Sequence, residues 1–391
     1  MSDANILGAS AGPRFFPLAD PGTLGLEAPD ARLGEAVRAA VRTLSGMQKE
    51  ALVRSARTGA VWRLVSDEGA YLAGHDEAPC PLSFLSTGMV SSFMEEILAL
   101  ARLRGIAIRD IRLVQENFYT MKGSALKGTM TGGAEDVRLE AAIDADADDD
   151  TLHALVCDAV AASPLTGLMR GVRDSLFALV HNGEEIANAK ARPVPGGALW
   201  DPGKAFERAR PAPGDWSRLM VHSGQLSPKT EETVTLAGGS LAAEQDRRLH
   251  VQVTCTLGEN GVKQIEQRLF NPHGSIFHFS SSEDGRAPDA ASYVAAGIGF
   301  CFMTQLGRYA KIVKKPLEDY RIVQDLHLSL GGASGGTGKP GSAGPIETHC
   351  YLWSGEGDDY ARACLDMSEQ TCFLHALCRT DVKARVKVAR L

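Results

Sequence analysis

Two cysteines have the residue type and setting for covalent chemistry. Cys301 lies within 293–306, YVAAGIGFCFMTQL, and Cys372 follows it by 71 residues in EQTCFLHAL. A thiol attacks only as the thiolate, and an apolar helix raises its pKa unless a cation or a helix N-terminus offsets the burial. His375, three residues after Cys372 and on the same side of a helix, is a candidate base for such a thiolate. The competing reading of all three is packing. The six other thiols (80, 157, 255, 350, 364, 378) read as small buried hydrophobes, Cys364 and Cys378 sharing the predicted helix of Cys372.

The same chain holds a second version of this arrangement in which oxygen replaces sulfur. Residues 84–97, FLSTGMVSSFMEEI, place Gly88 under Gly297, Phe93 under Phe302, Met94 under Met303 and Ser92 under Cys301. The same offset of 209 sets Ser163 under Cys372 and RDIRLVQEN (109–117) under EDYRIVQDL (318–326). Upstream the offset drifts, with RLVSDEGAYL from Arg63 lying over RLFNPHGSIF from Arg268. A string of matches at one spacing marks an internal repeat. No Ser-His-Asp set surrounds Ser92 and Ser163, so this half reads as a degenerate site with a binding role at most.

The elements that must position these residues follow from periodicity. Leu33, Val37, Val41 and Leu44 are spaced as one face of a helix running to Leu52. Residues 60–72 alternate as a hairpin turning at Asp67-Glu68-Gly69. A helix from Pro81, strands over 109–118 and 137–144, a helix from Asp148 to about Arg173 and a strand over 177–189 complete a first unit. After it come strands over 233–236, 250–257 and 264–270, the cysteine helix, strands over 319–328 and 347–352, a helix over 359–378 and a last strand over 382–388. The loop 331–345 is no phosphate cradle, since Lys339 is followed by Pro340; it reads as a flexible hairpin connection.

These assignments give an α+β chain with residues 1–30 as a loosely ordered arm and 31–190 as the first repeat. A Pro/Gly-rich linker over 191–218 leads to the second repeat, 219–391. Each repeat is an antiparallel sheet with a long buried helix, and the two pack as an intramolecular pseudo-dimer. The 391 residues carry a net charge of −7, which excludes a general nucleic-acid or anionic-membrane binder. No signal-like N-terminus and no uncharged apolar window of about 18 residues is seen, so a cytoplasmic location is expected. No Cys/His cluster has zinc-like spacing, and no cofactor is expected.

The motifs PDAASYVAAGIGFCF (from Pro288) and EQTCFLHAL resemble those of the OsmC/Ohr family, small proteins that pair as intertwined dimers. PLSFLSTGMVSSF and AASPLTGL keep the framework in the first half without the thiols. The resemblance implies a thiol peroxidase: Cys301 attacks an organic hydroperoxide and Cys372 resolves the sulfenic acid as a disulfide, which a dithiol reductant then resets. The family also uses an acid and an arginine beside the thiol; the resemblance offers Asp289 for the first and Arg268, Arg286 or Arg63 for the second. Two alternatives stand beside it: a cysteine hydrolase or lyase acting on a small organic substrate, and a non-catalytic ligand-binding protein with a vestigial site. Whether the chain oligomerises further is open.

Overall fold

The computed structural model describes residues 4–230 and 239–391. Its fold is α+β, with two large sheets enclosing two long helices. The strand expected over 233–236 lies outside the described residues.

In the first half the strands are β1 (Gly34–Ser45), β2 (Gln48–Ser55) and β3 (Val61–Ser66), followed by helix α1 (Pro81–Leu103). Next come β4 (Ile108–Ser124), β5 (Val137–Ala145), α2 (Asp149–Ala162) and β6 (Ser175–His181). The second half runs β7 (Glu244–Leu257), β8 (Lys263–Asn271), β9 (Ser275–Ser281), α3 (Ala290–Val313), β10 (Asp319–Ser329) and β11 (Ile346–Trp353). It ends with α4 (Asp358–Thr371), α5 (Phe373–Cys378) and β12 (Ala384–Arg390).

Each sheet mixes the halves. One contains the run β3-β2-β1-β10-β11-β6, the other β9-β8-β7-β4-β5-β12. The two seams match in kind: β1 pairs antiparallel with β10, from Gly34↔Ser329 to Arg42↔Arg321, and β7 with β4, from Glu244↔Ser124 to Thr256↔Arg112. The closing pairs, β11 with β6 and β12 with β5, are both parallel.

Residues 33–52 are therefore a hairpin, not the expected helix. The apolar spacing misleads because β1 and β2 are covered on both faces, which erases the alternation of a half-buried strand. Val37, Ala39, Val41 and Val53 face the main core. Ala40 and Leu52 face a separate cluster built by Leu18, Leu24, Leu26 and Phe206. That cluster pins the N-terminal arm to the first sheet, and Phe16–Pro17 adds an edge strand to β3. Residues 60–72 likewise form a strand followed by a loop rather than a hairpin, since β3 takes its partner from β2.

Helices α1 and α3 are apolar on all sides because protein surrounds them. By length and composition both could cross a membrane, yet 83% of the apolar window of α1 and 94% of that of α3 are buried within the protein. The two helices cross where their glycines stand. A Cβ on Gly88 would lie 2.5 Å from the Ala290 carbonyl oxygen, and one on Gly297 would lie 2.9 Å from Phe84 Cβ. Only a missing side chain permits that approach.

Candidate active site

Asp289 caps α3 by accepting a hydrogen bond from the Ser292 N–H at 2.7 Å, and the helix then carries Cys301 into the core, 2% exposed. The helix expected over 359–378 breaks at Cys372, which adopts φ −69°, ψ 116° between α4 and α5. The break sets the Cys372 thiol beside Cys301, close enough for each to act on the other's ionisation. His375 Nδ1 lies 3.2 Å from Cys372 Sγ, and its ring is held between Phe177 and Phe302 with centroids 5.6 and 5.4 Å away.

This geometry separates two buried thiols. Burial pushes the Cys301 thiol well above its ordinary value, and the Cys372 sulfur beside it adds to the effect. Burial acts the same way on Cys372, but the neighbouring Cys301 thiol and the attraction and hydrogen bond of His375 outweigh it. Of the two, Cys372 is the thiol whose ionisation is favoured and Cys301 the one whose ionisation is opposed. Cys301 lines a cavity, and Cys372 is fully buried behind it.

The cavity beside Cys301 has a volume of about 30 Å³ and takes walls from both halves of the chain. Glu68, from the loop after β3, accepts hydrogen bonds from Thr304 Oγ1 at 2.9 Å and from Tyr71 OH at 2.7 Å. Burial raises its pKa, with Lys49 opposing. Lys49 itself is 1% exposed; burial lowers its pKa, while Glu68, Asp67 and Cys301 pull the other way. Cys80, Arg247, Arg308 and Phe373 also line the cavity.

Ser92 and Ser163 are also brought together, Oγ to Oγ at 2.8 Å, with Ser163 at the C-cap of α2 as Cys372 is at the C-cap of α4. Their cavity is larger, about 240 Å³, and acidic: Glu35, Glu95, Glu96 and Glu283 line it against Arg57. Lys263, buried at its edge, sits 2.9 Å from Glu95 and 3.7 Å from Glu283. Over it lies the loop expected to be a flexible hairpin. It is instead packed down: Glu96 accepts from the Ala333 N–H at 2.8 Å, and the Gly341 N–H donates to the Ala161 carbonyl at 2.9 Å. Its glycines serve close approach, since a Cβ on Gly341 would fall 1.8 Å from the Ser163 carbonyl oxygen.

The remaining sequence candidates are placed elsewhere. Asp289 is buried at the serine cavity's end, where Glu35 and Arg57 act on it. Arg268 pairs with Glu266, Arg286 with Asp284, and Arg63 with Glu50, and none of them lines the Cys301 cavity. The residues that do line it were missed for a traceable reason. Arg63 lies on β3 and Arg268 on β8, so the upstream alignment matched strands that differ in place. In the sheets Lys49 pairs with Ser66 as Lys263 pairs with Ser281, which sets Glu68 against Glu283. Among the described residues no group of three or more His, Cys, Asp or Glu could hold a metal ion.

No family model matches the chain, and no curated protein matches it. Among solved structures, one similar chain is an osmotic-stress-induced and detoxification response protein of Psychrobacter arcticus. The identity is 15%, over 36% of this chain and 88% of that one, with a TM-score of 0.24. Another is an OsmC-like hydroperoxide resistance protein of Jannaschia sp., at 21% identity over 32% and 81% of the two chains and a TM-score of 0.20.

Proposed function

We propose that this chain is a tandem OsmC-like protein, folded as an intramolecular pseudo-dimer, whose second repeat reduces organic hydroperoxides through Cys301 and Cys372. The duplication is supported by the like order of elements in the two halves and by the two matching seams between them. The reading of the site rests on one observation above the others: the thiol that faces a cavity has beside it a second thiol, itself 3.2 Å from an imidazole nitrogen, that could resolve its oxidised form.

The resting state holds Cys301 as thiol and Cys372 as thiolate. Cys301 passes its proton to Cys372, and the new Cys301 thiolate attacks the terminal oxygen of the hydroperoxide. The S–O bond forms as the O–O bond breaks, and the leaving alkoxide takes a proton from Glu68, whose raised pKa lets it carry one. Cys372 then attacks the Cys301 sulfenic acid; the disulfide forms and its proton leaves with the hydroxyl as water. The hydroperoxide gains two electrons and the thiol pair loses two. A dithiol reductant gives up two electrons and two protons, restoring the Cys301 thiol, the Cys372 thiolate and the proton on Glu68, consistent with a cytoplasmic setting.

The test is to add tert-butyl hydroperoxide and map disulfides by mass spectrometry. One peroxide consumed per Cys301–Cys372 disulfide formed is the expected outcome, and Cys301→Ser abolishes both. Peroxide turnover that survives in Cys301→Ser sinks the proposal. An acyl adduct trapped on Cys301 from an ester, with no disulfide from peroxide, turns the assignment to a cysteine hydrolase.

A further inference from the structure

Arg308 and Arg247 face the same small cavity as Cys301, and no step of the cycle proposed above is assigned to them. Arg308 stands seven residues after Cys301 on α3 and is only 2% exposed. Its Nε donates to the Ser240 carbonyl at 2.7 Å, Nη1 reaches Gln305 Oε1 at 3.3 Å and Nη2 points at Met130 Sδ at 3.2 Å. Arg247, on β7, donates through Nη1 to Ser240 Oγ, and its buried Nε has no partner. Every one of these partners is neutral. Among the described residues neither guanidinium has a carboxylate within ion-pair distance.

Arginine is almost never buried without an anion, because the desolvation cost goes unrepaid. Here two share one cavity. Burial and, for Arg308, the repulsion of Arg247 lower their pKa values to about 9 and about 10 respectively. The single acid in the lining, Glu68, is taken up by Thr304 and Tyr71. The matching α1 position is Ala99, so the serine half has no equivalent cation there.

We propose that Arg308 and Arg247 form an anion subsite that binds a carboxylate carried by the substrate of Cys301. The substrate class is then a short organic acid with its reactive group several bonds from the carboxylate, a proposal that rests on Cys301 as the attacking thiol. Three features fit. The planar guanidinium fork matches a carboxylate in two-point contact. Seven helical residues rise about 10 Å, and helical side chains lean toward the N-terminus, which tilts Arg308 back toward Cys301. The cavity's 30 Å³ is the room of about two water-sized groups, enough for a carboxylate head.

Hexanoate is the probe, titrated by calorimetry into the Cys301→Ser protein with 1-hexanol as the neutral control. Hexanoate binds, hexanol binds at least about tenfold more weakly, and Arg308→Met weakens hexanoate by about tenfold or more. Arg247→Met, read the same way, serves if Arg308→Met fails to fold. With the wild-type thiols, Arg308→Met lowers the kcat/KM ratio of 6-hydroperoxyhexanoate to hexyl hydroperoxide by about tenfold or more. No hexanoate binding, or binding unchanged in both arginine variants, overturns the anion subsite. Arginine-dependent hexanoate binding in a protein inert to every hydroperoxide keeps the subsite and removes the peroxidase reading instead.

Discussion

The two cavities differ in almost everything except position. Each lies where a long buried helix meets the C-cap of a later helix, and each brings a pair of chalcogen side chains together, the serines in hydrogen-bond contact. The serine cavity is eight times the volume of the cysteine cavity and is lined by four glutamates to one arginine. The cysteine cavity has two arginines to one glutamate. The hydroxyl pair is bridged at 2.8 Å with no imidazole beside it among the described residues, whereas His375 beside Cys372 favours ionisation of the thiol pair. The frame fixes where the pair sits, and the residues one shell out decide whether it can ionise.

Moving the thiols tests that division most severely. In a Cys301→Ser background, Ser92→Cys with Ser163→Cys puts a thiol pair into the acidic cavity. Thr166 stands three residues after Ser163, where His375 follows Cys372, and the four glutamates oppose a thiolate. Oxidation of the transplanted pair by tert-butyl hydroperoxide, followed by stopped flow, is expected to be slower than that of the native pair by about hundredfold or more. Equal rates would mean that the frame alone makes the thiol reactive.

A smaller effect is expected from the imidazole. The pH profile of iodoacetamide alkylation at Cys301 should show an inflection well below the ordinary thiol value, because Cys372 ionises early and serves as the base. His375→Asn should move that inflection up, slowing alkylation at neutral pH by about tenfold for each unit. The sign carries to stability. A depressed thiol pKa stabilises the fold fully above the unfolded value, and that contribution is lost as pH falls through the lowered one. The variant should therefore lose pH dependence in this window, read by urea unfolding. Smallest of all, Arg268→Ala should leave peroxide turnover unchanged and alter stability by no more than about 0.5 kcal/mol, since its ion pair with Glu266 is half-buried at the surface and remote from the Cys301 cavity.

The paired thiols and hydroxyls are easier to read from the sequence than their surroundings. Cys301, Cys372, Ser92 and Ser163 stand at one spacing because helices and their caps carry them, and spacing within a rigid element survives divergence. Glu68 and Lys49 come from a hairpin and a loop in which insertions shift the offset, so the match through Arg63 and Arg268 joined strands of different place. The β1–β2 hairpin passed for a helix because both its faces are buried. Arg308 had a visible signal, a charge two turns past the cysteine on a helix otherwise apolar around it. What no local pattern could convey is that Arg247 crosses from another strand to join it.

The seam between β1 and β10 also governs how the chain reaches this state. Arg42 pairs with Arg321, so the middle of the first sheet cannot close until nearly three hundred further residues have been synthesised. Until then the inner edge of β1 lacks its partner strand and the apolar surface of α1 lacks α3, both of which invite pairing with other chains. Pairings this distant in sequence fold slowly. For this protein, the time spent half-made on the ribosome is the period of greatest exposure to aggregation, and dependence on chaperones should be strongest there.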